Sequence, residues 1–242
     1  MKITQDTLPL PKRMESQIRK ALYDYKMLEE ANVAVALSGG KDSLTLLKGL
    51  KQISGKGFLN LNLTAIHVGG EFSCGAGVHE GFLQAFCDKL EIPLLFRYSK
   101  QKLETLECYS CSRERRKLIF DAAKEAGAKT IAFGHHRDDS AQTLLINLLH
   151  KGEFAGNLPK VTMHEYGVNI IRPLILVSED AIKEYARSAG FLRALCQCPV
   201  GQNSMRKKAD KLIDELEAIF PNARANIASA GLTYGSRKAN ER

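Results

Sequence analysis

No run of about eighteen uninterrupted apolar residues occurs in this chain of 242 residues, so a membrane-spanning helix is not expected. The opening stretch MKITQDTLPLPKRMESQ lacks the apolar centre of an export signal, which makes the cytosol the expected compartment, with no membrane partner. Internal repeats and low-complexity tracts are also lacking, and solenoid or compositionally biased architectures fall away with them. Nor is the composition skewed. With 44% hydrophobic and 26% charged residues, collagen-like and wholly disordered chains are excluded, and the length suits one α/β domain with short extensions.

Positive charge and cysteine are what the chain does have. Lys and Arg total 35 against 27 Asp and Glu, a formal net charge of +8, which suits a polyanionic partner and equally a basic solvated surface. Six cysteines stand at positions 74, 87, 108, 111, 196 and 198. Their uneven spacing in a chain with no export signal speaks against a disulfide framework and raises metal, cluster or catalytic sulfur instead.

Apolar residues at helical spacing predict a leading amphipathic helix over 12–30. Val33-Ala34-Val35-Ala36-Leu37 follows, a short apolar run of the kind buried on both faces of a parallel sheet. Further strands are expected at 59–68, 92–98 and 130–134, alternating with helices at 42–53, 78–90, 111–126 and 139–150. Such alternation specifies a doubly wound α/β fold, an open and mostly parallel sheet with helices on both faces. Residues 160–175 suggest a hairpin or edge addition leading into Arg172-Pro173-Leu174, and the pattern after Ser178 is helical (179–189, 204–220, 223–230). The expected organisation is a leading helix (1–30), an α/β domain (31–177) and a helical extension (178–242).

Between the first strand and its helix lies Ser38-Gly39-Gly40-Lys41-Asp42-Ser43. At the carboxyl end of a parallel strand, a helix start presents unpaired N–H groups and the positive end of its dipole, so an anion belongs there. Gly39 and Gly40 admit phosphate oxygens to the backbone, Ser38 and Ser43 add hydroxyls, and Lys41 adds a mobile positive charge. The spacing is not that of Gly-x-x-x-x-Gly-Lys-Ser. This hexapeptide closely resembles the pyrophosphate loop of the N-type, or PP-loop, ATP pyrophosphatase superfamily. The resemblance implies cleavage of ATP between the α and β phosphates with Mg²⁺ offsetting the charge, and adenylation of a substrate oxygen.

Cys108-Tyr109-Ser110-Cys111 has a spacing that lets two thiolates converge on one metal, yet zinc sites, redox pairs and iron-sulfur sites all use it. Cys196-Gln197-Cys198-Pro199 could complete a zinc site, but its one-residue gap makes ligation of one ion by both cysteines awkward, so three ligands fit better than four. Three cysteines on a 4Fe-4S cluster would leave one iron without a protein ligand and able to carry sulfur. The stretch CSRERRKLIFDAAKEAGAKTIAFGHHRDDSAQTLLINLL resembles the tRNA 2-thiocytidine synthetase family through nearly its whole length. The likeness extends to the leading helix, SGGKDS, Ile171-Arg172-Pro173-Leu174 and the late cysteine segment, covering roughly residues 10–230.

That resemblance implies a tRNA sulfurtransferase using ATP, Mg²⁺ and a [4Fe-4S] cluster. Cys108 and Cys111 match two cluster ligands. The third expected ligand is Cys198, with Cys196 as the alternative, because the family usually shows Cys-x-x-Cys where this chain has Cys-x-Cys. Gly134 is expected to approach the nucleotide, and Asp139 to be the Mg²⁺-linked or catalytic carboxylate, with Asp138 helping to cap the helix. Lys117, or Arg116, is expected at the ATP phosphates. Arg113, Arg115, Arg116 and Lys117 cannot all face one way on a helix. With Arg206, Lys207, Lys208 and Lys211 they suggest an RNA-facing surface. His135 and His136 are read as loop-packing residues rather than metal ligands. Expected partners are tRNA, a sulfur donor such as a cysteine desulfurase or sulfide, and a second subunit in a homodimer. Readings kept beside this one are a tRNA 2-thiouridine synthetase and a non-catalytic nucleotide-binding zinc protein.

Overall fold

The computed structural model describes residues 8–70, 79–100, 108–190 and 205–235, with the side chains of residues 108–110 outside that description. The order of elements is α1 (Lys12–Asp24), β1 (Asn32–Ala36), α2 (Lys41–Ile53), β2 (Asn62–Gly69), α3 (Glu80–Lys89), β3 (Leu94–Tyr98), α4 (Cys108–Glu125), β4 (Thr130–Ala132), α5 (Arg137–Lys151), β5 (Lys160–Met163), β6 (Val168–Ile171), α6 (Glu179–Ser188), α7 (Met205–Ile219) and α8 (Ala223–Tyr234). The first helix ends earlier than its apolar spacing suggests. The backbone turns left-handed at Lys26 (φ 46°), and Met27 N–H returns to Leu22 O at 3.0 Å, burying the Met27 side chain under the turn.

Six strands form one sheet in the order β3-β2-β1-β4-β6-β5. All neighbours run parallel except β5, which pairs antiparallel with β6. The hairpin expected near 160–175 is therefore present, but its second strand is internal and only β5 lies at the edge. Alternation along the strands builds two cores. Val33, Val35, Leu63, Ala65, Ala132 and Ile171 face one side of the sheet, while Ala34, Ile66, Val68, Ile131, Val168 and Ile170 face the other. Buried residues of α1, α2, α3 and α6 cover the first face, and Ile119, Phe120, Ala122 and Ala123 of α4 cover the second. Burying each large aliphatic side chain in such a layer is worth about 1.5–3 kcal/mol.

Because β2 and β4 flank β1, the winding reverses at β1, which opens a crevice at the carboxyl ends of β1 and β4. A smaller core of Ala141, Ile213 and Ala228, with Leu145 and Ile227 packed against it, joins α5 to α7 and α8. Polar contacts fix the same trio. Arg224 on α8 reaches Asp210 (2.6 Å), Asp214 (2.5 Å) and Glu217 (3.5 Å) on α7, and Gln142 on α5 donates to Asp210 at 2.9 Å. Among the described residues no helix is long and apolar enough to cross a membrane.

The Arg224 side chain is only 11% exposed and lies among three carboxylates, so its removal leaves repelling acids at the α7–α8 contact. Arg224→Ala is expected to cost about 1–3 kcal/mol of stability. Arg224→Lys should recover only part of that, because a single ammonium cannot reproduce the fork. Thermal denaturation with hydrogen exchange checks this; an unchanged melting temperature and unchanged protection of α7 and α8 would contradict it.

Candidate functional site

The crevice is built first by the loop after β1. Gly39 has φ 83°, a conformation only glycine adopts without strain, and Gly40 is the N-cap of α2 with extended backbone and no side-chain cap. The first-turn N–H groups of α2 are therefore left to an outside acceptor, and an anion is the acceptor that the helix dipole favours. Ser43 Oγ donates to Gly40 O at 3.0 Å and lies 3.1 Å from Ser38 Oγ, while Gly40 N–H reaches Ser38 Oγ at 3.3 Å. The two hydroxyls that the sequence offered as phosphate donors thus also brace the loop.

Lys41 is less mobile than its place in a glycine-rich loop suggests. Its ammonium lies 3.1 Å from Asp42 and 3.0 Å from Glu179 at the start of α6, and Lys183 holds the other Glu179 oxygen at 3.0 Å. Burial alone would lower the Lys41 pKa, but the two carboxylates more than offset it and the ammonium is held charged. Burial likewise would raise the Glu179 carboxyl, and Lys41 and Lys183 pull it below the ordinary range. Glu179 was not among the residues picked from the sequence; the signal available was its place just after Ser178, which caps α6 by accepting from Ala181 N–H at 3.3 Å.

The loop after β4 supplies the second wall. A Cβ built on Gly134 would stand 3.1 Å from Asp42 C and Ser43 N and 3.3 Å from Ser43 Cα. Glycine is needed here because the backbone of the α2 start passes against it. His136 is the N-cap of α5: its ring accepts from Asp139 N–H at 3.4 Å, and Asp139 Oδ2 accepts from His136 N–H at 3.0 Å, a reciprocal capping box. Asp138, expected to cap this helix, instead accepts from Glu179 N–H at 2.6 Å and from Arg137 Nε at 2.9 Å, so it serves the start of α6. His136 Nε2 stands 3.8 Å from Asp42 and 3.5 Å from Asp139, which places both carboxylates about one imidazole.

A cluster of basic groups surrounds Asp139. Arg206, at the start of α7, meets its Oδ1 at 2.9 Å. Burial would raise the Asp139 carboxyl, but His136, His135 and Arg206 hold it below the ordinary carboxylate range. His135 stacks on Phe133 with ring centroids 5.9 Å apart, and burial, then the nearby Arg172 charge, push its pKa down to about 3, so it is neutral at physiological pH. Burial, reinforced by Arg116 and Arg206, lowers Arg172 to about 10. His135 Nδ1 and Arg172 Nε are shut off from solvent and have no hydrogen-bond partner among the described residues.

The cysteines stand at element ends. Cys108 opens α4, and Cys111, one turn on, is 8% exposed. Cys74, Cys196 and Cys198 lie outside the described residues, but Met205, seven residues after Cys198, opens α7 with Arg206 already on Asp139. Cys87 is a fully buried core thiol on α3, and burial pushes it up to about 12. Along α4, Arg115 is half-buried with Nη1 shut off from solvent, Arg116 acts on Arg172 and His135, and Lys117 is exposed and not among the leading charges on Asp139, His135 or Arg172. The helix thus distributes the three around its circumference and brings Arg116, rather than Lys117, to the Asp139 group.

No group of three or more metal-ligating side chains converges among the described residues. Magnesium does not need one. It is commonly held by one or two carboxylates together with substrate phosphates, and Asp42 and Asp139 are hard oxygen donors at the mouth of the loop, with Asp42 Oδ1 shut off from solvent and paired with the Lys41 ammonium at 3.1 Å. For a thiolate-bound cluster, the residues on the page are Cys108 and Cys111, one turn apart at the start of α4.

The PP-loop domain model matches residues 10–192. The tRNA-cytidine(32) 2-sulfurtransferase of Ralstonia nicotianae is 34% identical over 231 residues, spanning 91% of this chain and 73% of that protein. The enzyme of the same name from Shewanella loihica is 31% identical over 231 residues, spanning 91% and 72%. Among solved structures, the U34-tRNA thiolase NcsA from Methanococcus maripaludis with its [4Fe-4S] cluster superposes with a TM-score of 0.75 at 27% identity, covering 91% of this chain and 77% of that one. NMN synthetase from Francisella tularensis, at a TM-score of 0.50 and 13% identity over 89% of this chain and 93% of that one, shares the fold alone. With a PP-loop domain model spanning residues 10–192 and relatives of more than 30% identity covered over more than two thirds of their length, the chain belongs to the PP-loop family and, within it, to the tRNA-cytidine(32) 2-sulfurtransferases.

Proposed function

We propose that this protein replaces the C2 oxygen of a cytidine in tRNA with sulfur, using ATP to activate that oxygen. The observation that supports the reading is the junction at Gly134, which sets an uncapped helix N-terminus and the Asp42–Asp139 pair beside the start of α7, the helix that follows Cys196 and Cys198 in the chain. ATP phosphates would take the free N–H groups of the α2 start, with Ser38 and Ser43 turning their hydroxyls toward them. Lys41 would exchange Glu179 for a phosphate oxygen at little electrostatic cost, since the anion it leaves is replaced by another.

Asp42 and Asp139 would hold Mg²⁺ together with the phosphates. The cytidine is flipped out of its stack into the crevice. Its O2 bonds to the α-phosphorus as the bond to the β-phosphate oxygen breaks, and pyrophosphate departs on the glycine loop, where the helix dipole and N–H donors stabilise the leaving charge. Sulfur at the sulfide level then bonds to C2 as the C2–O bond breaks, releasing AMP. Cys108, Cys111 and Cys198, with Cys196 as the alternative third ligand, would hold a [4Fe-4S] cluster whose unligated iron supplies a place to carry that sulfur. The sulfur donor is sulfide, or a cysteine desulfurase whose persulfide is brought to the sulfide level by an external thiol that leaves as a disulfide. The cytosol is the compartment we assign, and a homodimer the assembly.

The likeness to a U34-tRNA thiolase favours a 2-thiouridine product as the second reading. Mass spectrometry of tRNA nucleosides from cells with and without the protein separates the two: loss of 2-thiocytidine is expected, whereas loss of 2-thiouridine, or of neither, would contradict the cytidine assignment. Anoxically purified protein should carry about four iron atoms per chain with visible charge-transfer absorption, and Cys108→Ser should abolish both the cluster and thiolation. Zinc in place of iron would contradict this. Asp139→Asn should lower turnover by about 100-fold or more, while Lys117→Ala, on the exposed side of α4, should change it by less than about threefold; equal losses would restore Lys117 to the phosphates. Gly134→Ala, whose added methyl meets the α2 backbone, should weaken Mg-ATP binding by about tenfold in calorimetry, and unchanged affinity would show that the two loops do not form one site.

A further inference from the structure

Arg206 on α7 meets Asp139 at 2.9 Å, and Arg172, just after β6, lies within electrostatic reach of Arg206, of Asp139 and of Arg116 on α4. Arg206 is satisfied by that carboxylate at 2.9 Å, and Arg172 donates from Nη1 to Leu158 O, yet its Nε is inaccessible to water and makes no hydrogen bond among the described residues. His135 Nδ1 is in the same condition. Unsatisfied polar atoms closed off from solvent are rare in folded proteins and commonly mark the place of a ligand.

Resting on the sulfurtransferase reading, we propose that Arg116, Arg172, Arg206 and His135 form a second anion subsite, distinct from the glycine loop, which takes a backbone phosphodiester flanking the RNA nucleotide to be modified. Position separates the two subsites. The glycine loop follows β1 and Arg172 follows β6, with β4 between them; at about 4.8 Å per strand, the two strand ends are about 10 Å apart. The phosphates of a nucleotide seated on the α2 start have their own donors in the first-turn N–H groups of that helix. The second subsite instead lies at the start of α7 and two turns into α4, and these are the helices that carry or follow the cysteines. A flipped base that presents its C2 to the adenylating centre brings its own phosphates with it, and an anchored phosphate fixes the register of the strand without reading its sequence. Arginine suits this role because its fork can hold two phosphate oxygens at once.

The test is the binding of a tRNA transcript and of Mg-ATP, measured separately on the full chain prepared without oxygen, for the wild type and for Arg172→Gln, Arg172→Lys and Arg116→Gln. Arg116 is exposed, so its variant tests the subsite even if replacement of Arg172 disturbs folding. The expected result is an affinity for tRNA lowered by about tenfold in each Gln variant, a salt dependence whose slope falls by about 0.7–0.9 per charge removed, and Mg-ATP affinity within about twofold of wild type. Arg172→Lys should keep the salt slope but lose affinity, since charge remains and the fork does not. Unchanged tRNA affinity and slope in the variants of a wild type that binds tRNA would overturn the subsite while leaving the sulfurtransferase reading intact. Loss of ATP binding with tRNA binding unchanged would overturn it by assigning the cluster to the nucleotide. A wild type that binds Mg-ATP but no tRNA would overturn both.

Discussion

The approach of the Gly134 backbone to the first turn of α2 is the constraint on which the site depends. The crevice at the β1–β4 junction exists wherever a doubly wound sheet reverses, but a crevice alone does not combine an anion-binding helix start with a carboxylate. Here the two loops pass so closely that a methyl group at 134 would stand 3.1 Å from the α2 backbone. That proximity brings His136 between Asp42 and Asp139 and lets the α5 capping box orient Asp139. The capping-box residue of α5 and a carboxylate of the crevice are one side chain, so the fold of α5 and the layout of the crevice are specified together.

Electrostatics extends the same organisation outward. Lys41 is held by Asp42 and Glu179 on one side of the crevice, and Asp139 is held by Arg206 on the other. Each pair ties an element distant in sequence to the glycine loop or to α5: α6 through Glu179 and Asp138, α7 through Arg206 and Gln142–Asp210. The segment that carries Cys196 and Cys198 joins these two anchored helices. A substrate phosphate or metal ion entering the crevice competes directly with these ion pairs, so binding there and the hold on α6 and α7 are coupled.

Much of this was legible in the residues. The alternation of apolar runs with helical patterns gave the doubly wound sheet, because strands buried on both faces read as continuous Val, Ala and Ile runs that no surface element tolerates. SGGKDS announced the anion site because glycine is required where φ is 83°. Other features were not legible. The end of α1 was misplaced because the apolar residues beyond it, such as Met27, are buried by a turn and not by a helix face. Asp138 and Asp139 are adjacent acids at a helix start, and only the three-dimensional arrangement shows that Asp139 caps α5 while Asp138 serves α6. Lys117 and Arg116 differ by about 100° around the helix axis, which a string of basic letters does not reveal. Glu179 and Arg172 owe their place at the crevice to partners more than a hundred and several dozen residues away, which the local marks, the cap at Ser178 and the run Ile171-Arg172-Pro173-Leu174, do not identify.

The account turns on which phosphorus of ATP is attacked and by what. Incubating anoxically prepared protein with ATP labelled at the α-phosphate and tRNA, in the absence of a sulfur source, tests this most directly. Label covalently attached to tRNA, with one pyrophosphate released for each label and AMP freed when sulfide is added, is the predicted result. Release of ADP and inorganic phosphate, or AMP formed without any label passing through tRNA, would contradict it.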